Sequence, residues 1–331
     1  MNPVEAVRTA ENLSMVGMTI SFDAVQKSLK NEAHCHLGGA WPLSYLQKIS
    51  SPEDYLKLVH YLQLIEKGID YHEGFKVFAL TAKIVNTDEK VEAGIVALCE
   101  QYARDGVERI ELRTGLKDLG SGLEGYLKAV FRGIERGARE SGIMVDLLLS
   151  LRRNTSKDHC EQTVALAINY FRKGVSGMDL SGDSTIGEGD DAIAALKKAK
   201  SAGMSVSVHM GESPKESREQ QMREIEELAP DRIGHGVFLC DEAVDWVLSK
   251  KVPVEMCLTS SCKVGMVENP SAHPGLKWLK EGHPVAICTD DPLIFGVSLS
   301  DECYQAATLL GWSESDFKAY QERIAGLFFH P

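Results

Sequence analysis

The residues of this chain best equipped for chemistry fall into four short clusters. AHCHLGG carries His34 and His36, HMGES carries His209 and Glu212, RIGHGV carries His235, and ICTDDP carries Asp290 and Asp291. Imidazole nitrogens suit zinc, iron, nickel or copper better than magnesium or calcium. Two adjacent carboxylates repel each other unless a cation or a shared proton relieves them, so the aspartate pair also asks for a metal. One of the two can serve the ion while its neighbour serves water or substrate. Three histidines and one carboxylate around a divalent ion leave room for a water, whose pKa the ion lowers toward about 7. A nearby histidine can take that water's proton, and a separate glutamate can protonate the substrate. His235 and Glu212 are placed for those two tasks, so the clusters predict metal-assisted hydrolysis.

Each cluster closes a short β-rich run, and the runs alternate with amphipathic segments. The runs are 32–37, 107–113, 144–151, 175–182, 205–212, 232–237, 252–258 and 284–291. Helical spacing fills 125–142 and 190–203, the latter with Ile193, Leu196 and Ala199 on one face and Gly203 as its stop. Alternating strands and helices give parallel βαβ units. Eight of them in one chain predict an α/β fold, a (β/α)8 TIM barrel forming a single domain over 1–331. Such barrels carry their active sites at the C-terminal ends of the strands, where all four clusters lie. Residues i and i+2 of a strand share a face, so His34 and His36 aim together and Cys35 aims away. The gap from 38 to 106 is too long for one helix and predicts extra helices near the barrel mouth at 42–49, 55–68 and 75–85. A helix is expected around 24–30, and the tail after 300 reads as two closing helices with Ser313 as a cap.

The bulk properties narrow the partners. The 331 residues are 44% hydrophobic with a formal net charge of −12, a surface that repels nucleic acid and anionic lipid. No Lys/Arg run announces a local basic pocket. No stretch is long and apolar enough for a membrane span, and the N-terminus, with Glu5 and Glu11, does not read as a signal peptide. The eight cysteines are thinly spread and often inside apolar runs, as buried thiols of a reduced cytoplasmic protein would be. Cys257 and Cys262 read as packing residues rather than a metal pair. Arg113 and Arg152 close the second and third runs and read as structural partners of acids. His60, His72, His159, His273, His283 and His330 read as surface or packing histidines. Asp183, Ser260 and Ser261 fit either a ligand-orienting role or a turn.

Taken with MDLSGDSTIG, EMCLTSS and ICTDDPLIFG, the clusters resemble the adenosine deaminase-like family of metal-dependent purine deaminases, in the family's order from residue 33 to about 296. The resemblance implies Zn²⁺, with Fe²⁺ also admissible, held by His34, His36, His209 and Asp290. It implies Glu212 protonating purine N1 as hydroxide attacks C6, and His235 orienting and deprotonating the water. It places Asp291 near N7 and the nucleophile, and the backbone N–H of Gly182 at N3. The expected partner is a small purine nucleoside or base, with no nucleic acid and no membrane. One position departs from the family pattern. Between the second histidine's leucine and the next glycine, adenosine deaminases carry an aspartate that contacts the ribose 5′-hydroxyl, and here that residue is Gly38. The expected substrate is therefore adenosine or a 5′-modified adenosine. Aminodeoxyfutalosine, 5′-methylthioadenosine and free adenine are the alternatives, with another amidohydrolase reaction or a non-catalytic purine-binding relative as rivals.

Overall fold

The β-rich runs become eight strands: β1 Lys30–His36, β2 Val107–Thr114, β3 Met144–Arg152, β4 Gly177–Ser181, β5 Ser205–Met210, β6 Arg232–His235, β7 Val254–Met256 and β8 Val285–Ile287. The chain's structure is a computed structural model that describes residues 19–67, 72–186 and 189–329. The sequence reading of the N-terminus and of His330 lies outside those residues, as does the side chain of His72. The strands pair in parallel in the order β1 to β8. Closure is made just beyond β8. The His36 amide donates to the Asp290 carbonyl at 2.9 Å, and the Asp290 amide to the His34 carbonyl at 3.0 Å. The buried carboxylate of Glu32 reinforces the seam by accepting from the amide and hydroxyl of Thr289 and from the His34 amide. This is the expected (β/α)8 barrel.

β4 to β8 are shorter than their sequence runs. After β4, β5, β6 and β8 the chain leaves the ladder early because it turns through left-handed conformations at Gly182, Gly211, His235 and Asp290, with φ of 85°, 66°, 64° and 64°. Glycine takes such values freely, whereas a histidine or an aspartate is strained by them and marks a backbone shaped for something other than stability.

Helices surround the sheet. Gly122–Ser141 and Asp190–Ser201 fall where their periodicity places them, and Gly142, at φ 82°, ends the first. The gap after β1 holds helices Leu43–Ile49, Pro52–Glu66, His72–Ile84 and Asp88–Arg104. The expected N-terminal helix is shorter than its pattern, Phe22–Lys27, because Lys30 already belongs to β1 and its ammonium is spent on the carbonyls of Val25, Gln26 and Ser28. Leu299–Leu310 and Glu314–Ile324 close the chain, the second with a capping box between Ser313 and Asp316. The tail then plugs the N-terminal end of the barrel. Phe329 stacks under the Arg232 guanidinium at 3.9 Å, and its amide donates to Glu111 at 2.6 Å. Burying Phe328 and Phe329 here is worth on the order of 2 kcal/mol each.

The barrel interior is not the usual stack of branched aliphatics. Glu111, Arg113, Asp179, Ser207, Arg232 and Glu255 are all buried within it. Arg113 reaches Asp179 at 2.9 Å and Glu255 at 2.6 Å, while Arg232 pairs with Glu111 and, at 2.8 Å, with Glu255. Fully buried charges are tolerable only when so paired. Cys35 points outward, its thiol 3.1 Å from the Tyr102 hydroxyl, and all eight cysteines are free.

Candidate metal centre and active site

The spacing of two on β1 does what strand geometry requires, placing His34 Nε2 and His36 Nε2 3.1 Å apart. His209 Nε2, from the end of β5, lies 3.0 Å from His36 Nε2. Asp290 Oδ1, from beyond β8, lies 3.4 Å from His34 Nε2 and 3.5 Å from His36 Nε2. Ligands about 2.0–2.1 Å from one ion, at angles of 90–110°, stand about 2.9–3.4 Å from each other. These pairs are therefore spaced as neighbouring ligands of one ion would be. Among the described residues, the groups able to hold a metal ion are His34 with His36 and His209, and His34 with His235 and Asp290; Cys257 and Cys262 belong to neither.

The outer partners of these four side chains are specific. His34 Nδ1 lies 2.7 Å from Glu255 Oε2, which fixes Nε2 as the nitrogen that faces the centre. His209 Nδ1 lies 3.1 Å from both the Leu180 carbonyl and Asp179 Oδ1. The Ser260 hydroxyl donates to Asp290 Oδ2 at 2.6 Å, turning Oδ1 inward. Arg113 joins the two second-layer acids, Asp179 and Glu255, from beneath. Burial opposes ionisation of Asp290, yet His34, His235 and His36 hold its carboxyl well below the usual range. Burial and Arg113 disfavour the imidazolium of His34, but the bonds to Asp290 and Glu255 outweigh them and lift it to about 9. This is a site whose electrostatics call for positive charge.

On the other side of that cluster stand the acid/base candidates. His235 is fully buried, and neither of its ring nitrogens has a hydrogen-bond partner among the described residues. Its Nε2 lies 3.7 Å from Glu212 Oε1, and its ring centre 5.1 Å from those of His34 and His209. Burial lowers its pKa to about 4, so it is a neutral base at neutral pH. Asp291 Oδ1 is likewise unpartnered, and burial together with the Asp290 charge pushes its carboxyl well up. Buried polar atoms left open in this way are groups waiting for water or substrate.

The Gly-Gly pair after β1 separates into two roles. A Cβ on Gly39 would lie 1.9 Å from Asp291 Oδ1, so only glycine lets that carboxylate into the site. A Cβ on Gly38 would meet the Phe78 ring at 3.5 Å, an ordinary contact. The space beside Gly38 is thus bounded by an aromatic ring from the helix His72–Ile84 rather than fully open. Gly182 follows β4 at φ 85° and packs on the stem of Arg152.

Several residues that matter here were not assigned from sequence. Asp179 and Glu255 sit inside the quoted motifs MDLSG and EMCL, and the signal was there: a lone acid in an otherwise apolar strand. Arg153 is the third. It binds Glu224 with two nitrogens at 3.0 Å and donates to the carbonyls of Gly182 and His209 at 3.0 and 2.6 Å, tying two mouth loops to the helix Arg218–Leu228. Arg113 pairs with acids as expected, but Arg152 does not, because its neighbour Arg153 points inward and takes the acid instead. Asp183 accepts from the amide and hydroxyl of Thr185 as a turn residue. His273 is buried as the cap of the helix Pro274–Lys280, its pKa lowered to about 3 by burial and by nearby His235.

The chain matches the family described as Adenosine deaminase over residues 30–326. It is 32% identical over 318 residues to the N6-Methyl-AMP deaminase of Danio rerio, covering 91% of this chain and 90% of that one. It is 34% identical over 293 residues to the N6-Methyl-AMP deaminase of Mus musculus, covering 84% and 81%. An Arabidopsis thaliana relative solved in complex with IMP superposes with a TM-score of 0.84 at 28% identity, covering 92% of this chain and 93% of that one. Family match, relatives and barrel agree: the chain is a deaminase hydrolase of the adenosine deaminase family, whose members are metal-dependent and deaminate purines.

Proposed function

We propose that this protein hydrolyses the 6-amino or 6-alkylamino group of a purine nucleoside 5′-monophosphate, with N6-methyl-AMP as the first substrate to test. Water and N6-methyl-AMP would give IMP and methylamine. The observation that carries the reading is the neutral, unpartnered His235 facing Glu212 across from the His34, His36, His209 and Asp290 cluster. A binding module needs no such pair. The relatives' names support the nucleotide and the N6-methyl group. Adenosine is the second reading, which the glycine at position 38 disfavours.

The four-ligand cluster fits a divalent ion, zinc first and Fe²⁺ also admissible. Such an ion, when bound, supplies Lewis acidity that brings a water's ionisation toward neutral pH. His235 accepts the water's proton at a ring nitrogen. Glu212 delivers a proton to purine N1, which makes C6 electrophilic. Asp291 accepts a hydrogen bond from the incoming water and faces N7. The Gly182 amide donates to N3. The amine then leaves C6 with a proton passed through the same groups.

The test is ultraviolet absorbance with N6-methyl-AMP, AMP, N6-methyladenosine, adenosine and adenine, with amine release measured in parallel. Turnover of the nucleotides ahead of the nucleosides is expected. No release of amine from any of the five would refute the reading.

A further inference from the structure

The barrel mouth has a charge pattern that the chemistry above does not use. The ends of β5, β6, β8 and β1 carry the acids and histidines. Next around the rim, Lys117 lies three residues past β2, and Arg152 is the last residue of β3. Lys117 is half-buried, and Arg152 is exposed. No carboxylate lies within ion-pair distance of either among the described residues. Adjacent Asp118 instead accepts from the amides of Gly120 and Gly122 at 2.8 and 2.9 Å. The ends of β2 and β3 are neighbours, Thr114 pairing with Leu149, so the two cations follow adjacent strand ends, and burial and then the Arg152 charge lower the pKa of the Lys117 ammonium. Two neighbouring cations without an ion pair are costly, and more conspicuous in a chain of net charge −12; an acid that feels Arg152 is Asp291, whose pKa is raised by burial and Asp290 against the lowering by Arg152.

Their place around the rim identifies what they face. Gly38, Lys117, Arg152 and Gly182 follow β1, β2, β3 and β4 in turn, or end them, and neighbouring strands have neighbouring ends. Arg152 Cβ stands 3.1 Å from where a Gly182 Cβ would be, so the cation pair adjoins the backbone that meets purine N3. In a purine, N3 and N9 lie at the far end of the ring system from C6. With C6 held at His235 and Glu212, the N9 sugar leaves toward the β2–β3 rim.

We propose that Lys117 and Arg152 form the subsite for the substrate's 5′-phosphate. The proposal rests on the nucleotide reading above and names the residues that make the choice of nucleotide over nucleoside. It also accounts for an acidic protein accepting an anionic substrate: the two cations come from separate loops, so no basic run in the sequence announces them.

The experiment measures N6-methyl-AMP against N6-methyladenosine with Lys117→Ala, Arg152→Ala, Lys117→Arg and Lys215→Ala holoenzymes. Lys215 is exposed on the loop after β5 and controls for bulk charge. Removing a charged hydrogen bond predicts that KM for the nucleotide rises on the order of 10- to 100-fold for each alanine variant, with kcat little changed. Nucleoside turnover is unchanged in all four, Lys117→Arg retains most nucleotide affinity, and Lys215→Ala behaves as wild type. Equal losses on both substrates, or equal effects of Lys215→Ala and Lys117→Ala, overturn the subsite. Calorimetry with IMP and inosine separates this failure from failure of the reaction. A preference for IMP that the alanine variants lose upholds the subsite even where no substrate turns over. Equal binding of IMP and inosine by wild type overturns it even where deamination proceeds.

Discussion

Replacing Gly39 by alanine puts a methyl group where the Asp291 carboxyl lies. The new Cβ would stand 1.9 Å from Oδ1, 2.5 Å from Cγ and 2.6 Å from Cβ of Asp291. Ordinary contact begins near 3.5 Å, so the carboxyl must retreat by about 1.6 Å. A misplacement of about 1 Å in a reacting site costs on the order of 100-fold in rate, and Gly39→Ala should lose at least that much in kcat. The backbone does not object, since Gly39 is not in a left-handed conformation. The metal should stay, because Asp290 is fixed independently by Ser260 and by two backbone bonds to β1. Overpacking is expected to cost about 1–3 kcal/mol of stability, short of unfolding. Gly38→Ala is the matched control: its Cβ meets Phe78 at 3.5 and 3.7 Å, and kcat/KM should change by less than about threefold. The assay is steady-state absorbance with metal content and Tm measured on the same samples. A metal-loaded Gly39→Ala protein with wild-type kcat would refute the assignment of Asp291 to the reacting site.

Three further outcomes follow from the geometry. Glu255→Gln breaks the charged bond to His34 Nδ1 and should weaken metal affinity on the order of 10- to 100-fold, read by chelator competition; unchanged affinity would remove Glu255 from the metal's support. Glu212→Gln should keep the metal and lose about 10²–10⁴ in kcat, and a smaller loss would move the proton donor elsewhere. Glu302, which accepts from the amides of Leu258 and Thr259, has its pKa raised from 4.5 to about 8 by burial. A folded pKa above the unfolded one stabilises fully below about 4.5 and is lost as pH rises through about 8, each unit being worth about 1.4 kcal/mol. The wild-type Tm should therefore fall between about pH 4.5 and 8, and Glu302→Gln should flatten that fall; parallel curves would exclude Glu302 as the source.

The sequence was legible where local pattern and global fold agree. Strand spacing placed His34 with His36 and turned Cys35 outward, and the alternation of runs and amphipathic segments gave the barrel. It was less legible where tertiary structure overrides pattern. The runs ending in RIGHGV and ICTDD look like longer strands than they are, because His235 and Asp290 take left-handed conformations that residue type does not reveal. Arg152 and Arg153 are adjacent and chemically identical; only the placement of Glu224 on a distant helix decides which one is buried. The two glycines at 38 and 39 look equivalent, and only the approach of Asp291 from the far end of the chain tells them apart.

The buried charges beneath the site explain why this barrel tolerates an interior that could have been aliphatic. His34 and His209 come from β1 and β5, well apart in the chain and around the sheet. Each needs its Nδ1 fixed, and the acids that fix them, Glu255 and Asp179, are buried and would be prohibitively costly alone. Arg113 binds both acids and sets their relative positions, while Arg232 adds a second positive charge on Glu255. Ser150 satisfies the remaining Asp179 oxygen at 2.8 Å, and Ser207 donates at 3.0 Å to the Glu255 oxygen that Arg113 also holds. The stability lost to desolvation goes into holding the two imidazoles at a fixed separation before any ion arrives. On this account Arg113→Met should disturb both histidines at once, and metal affinity should fall further than with Glu255→Gln alone. Equal losses in the two variants would mean that the histidines are positioned independently.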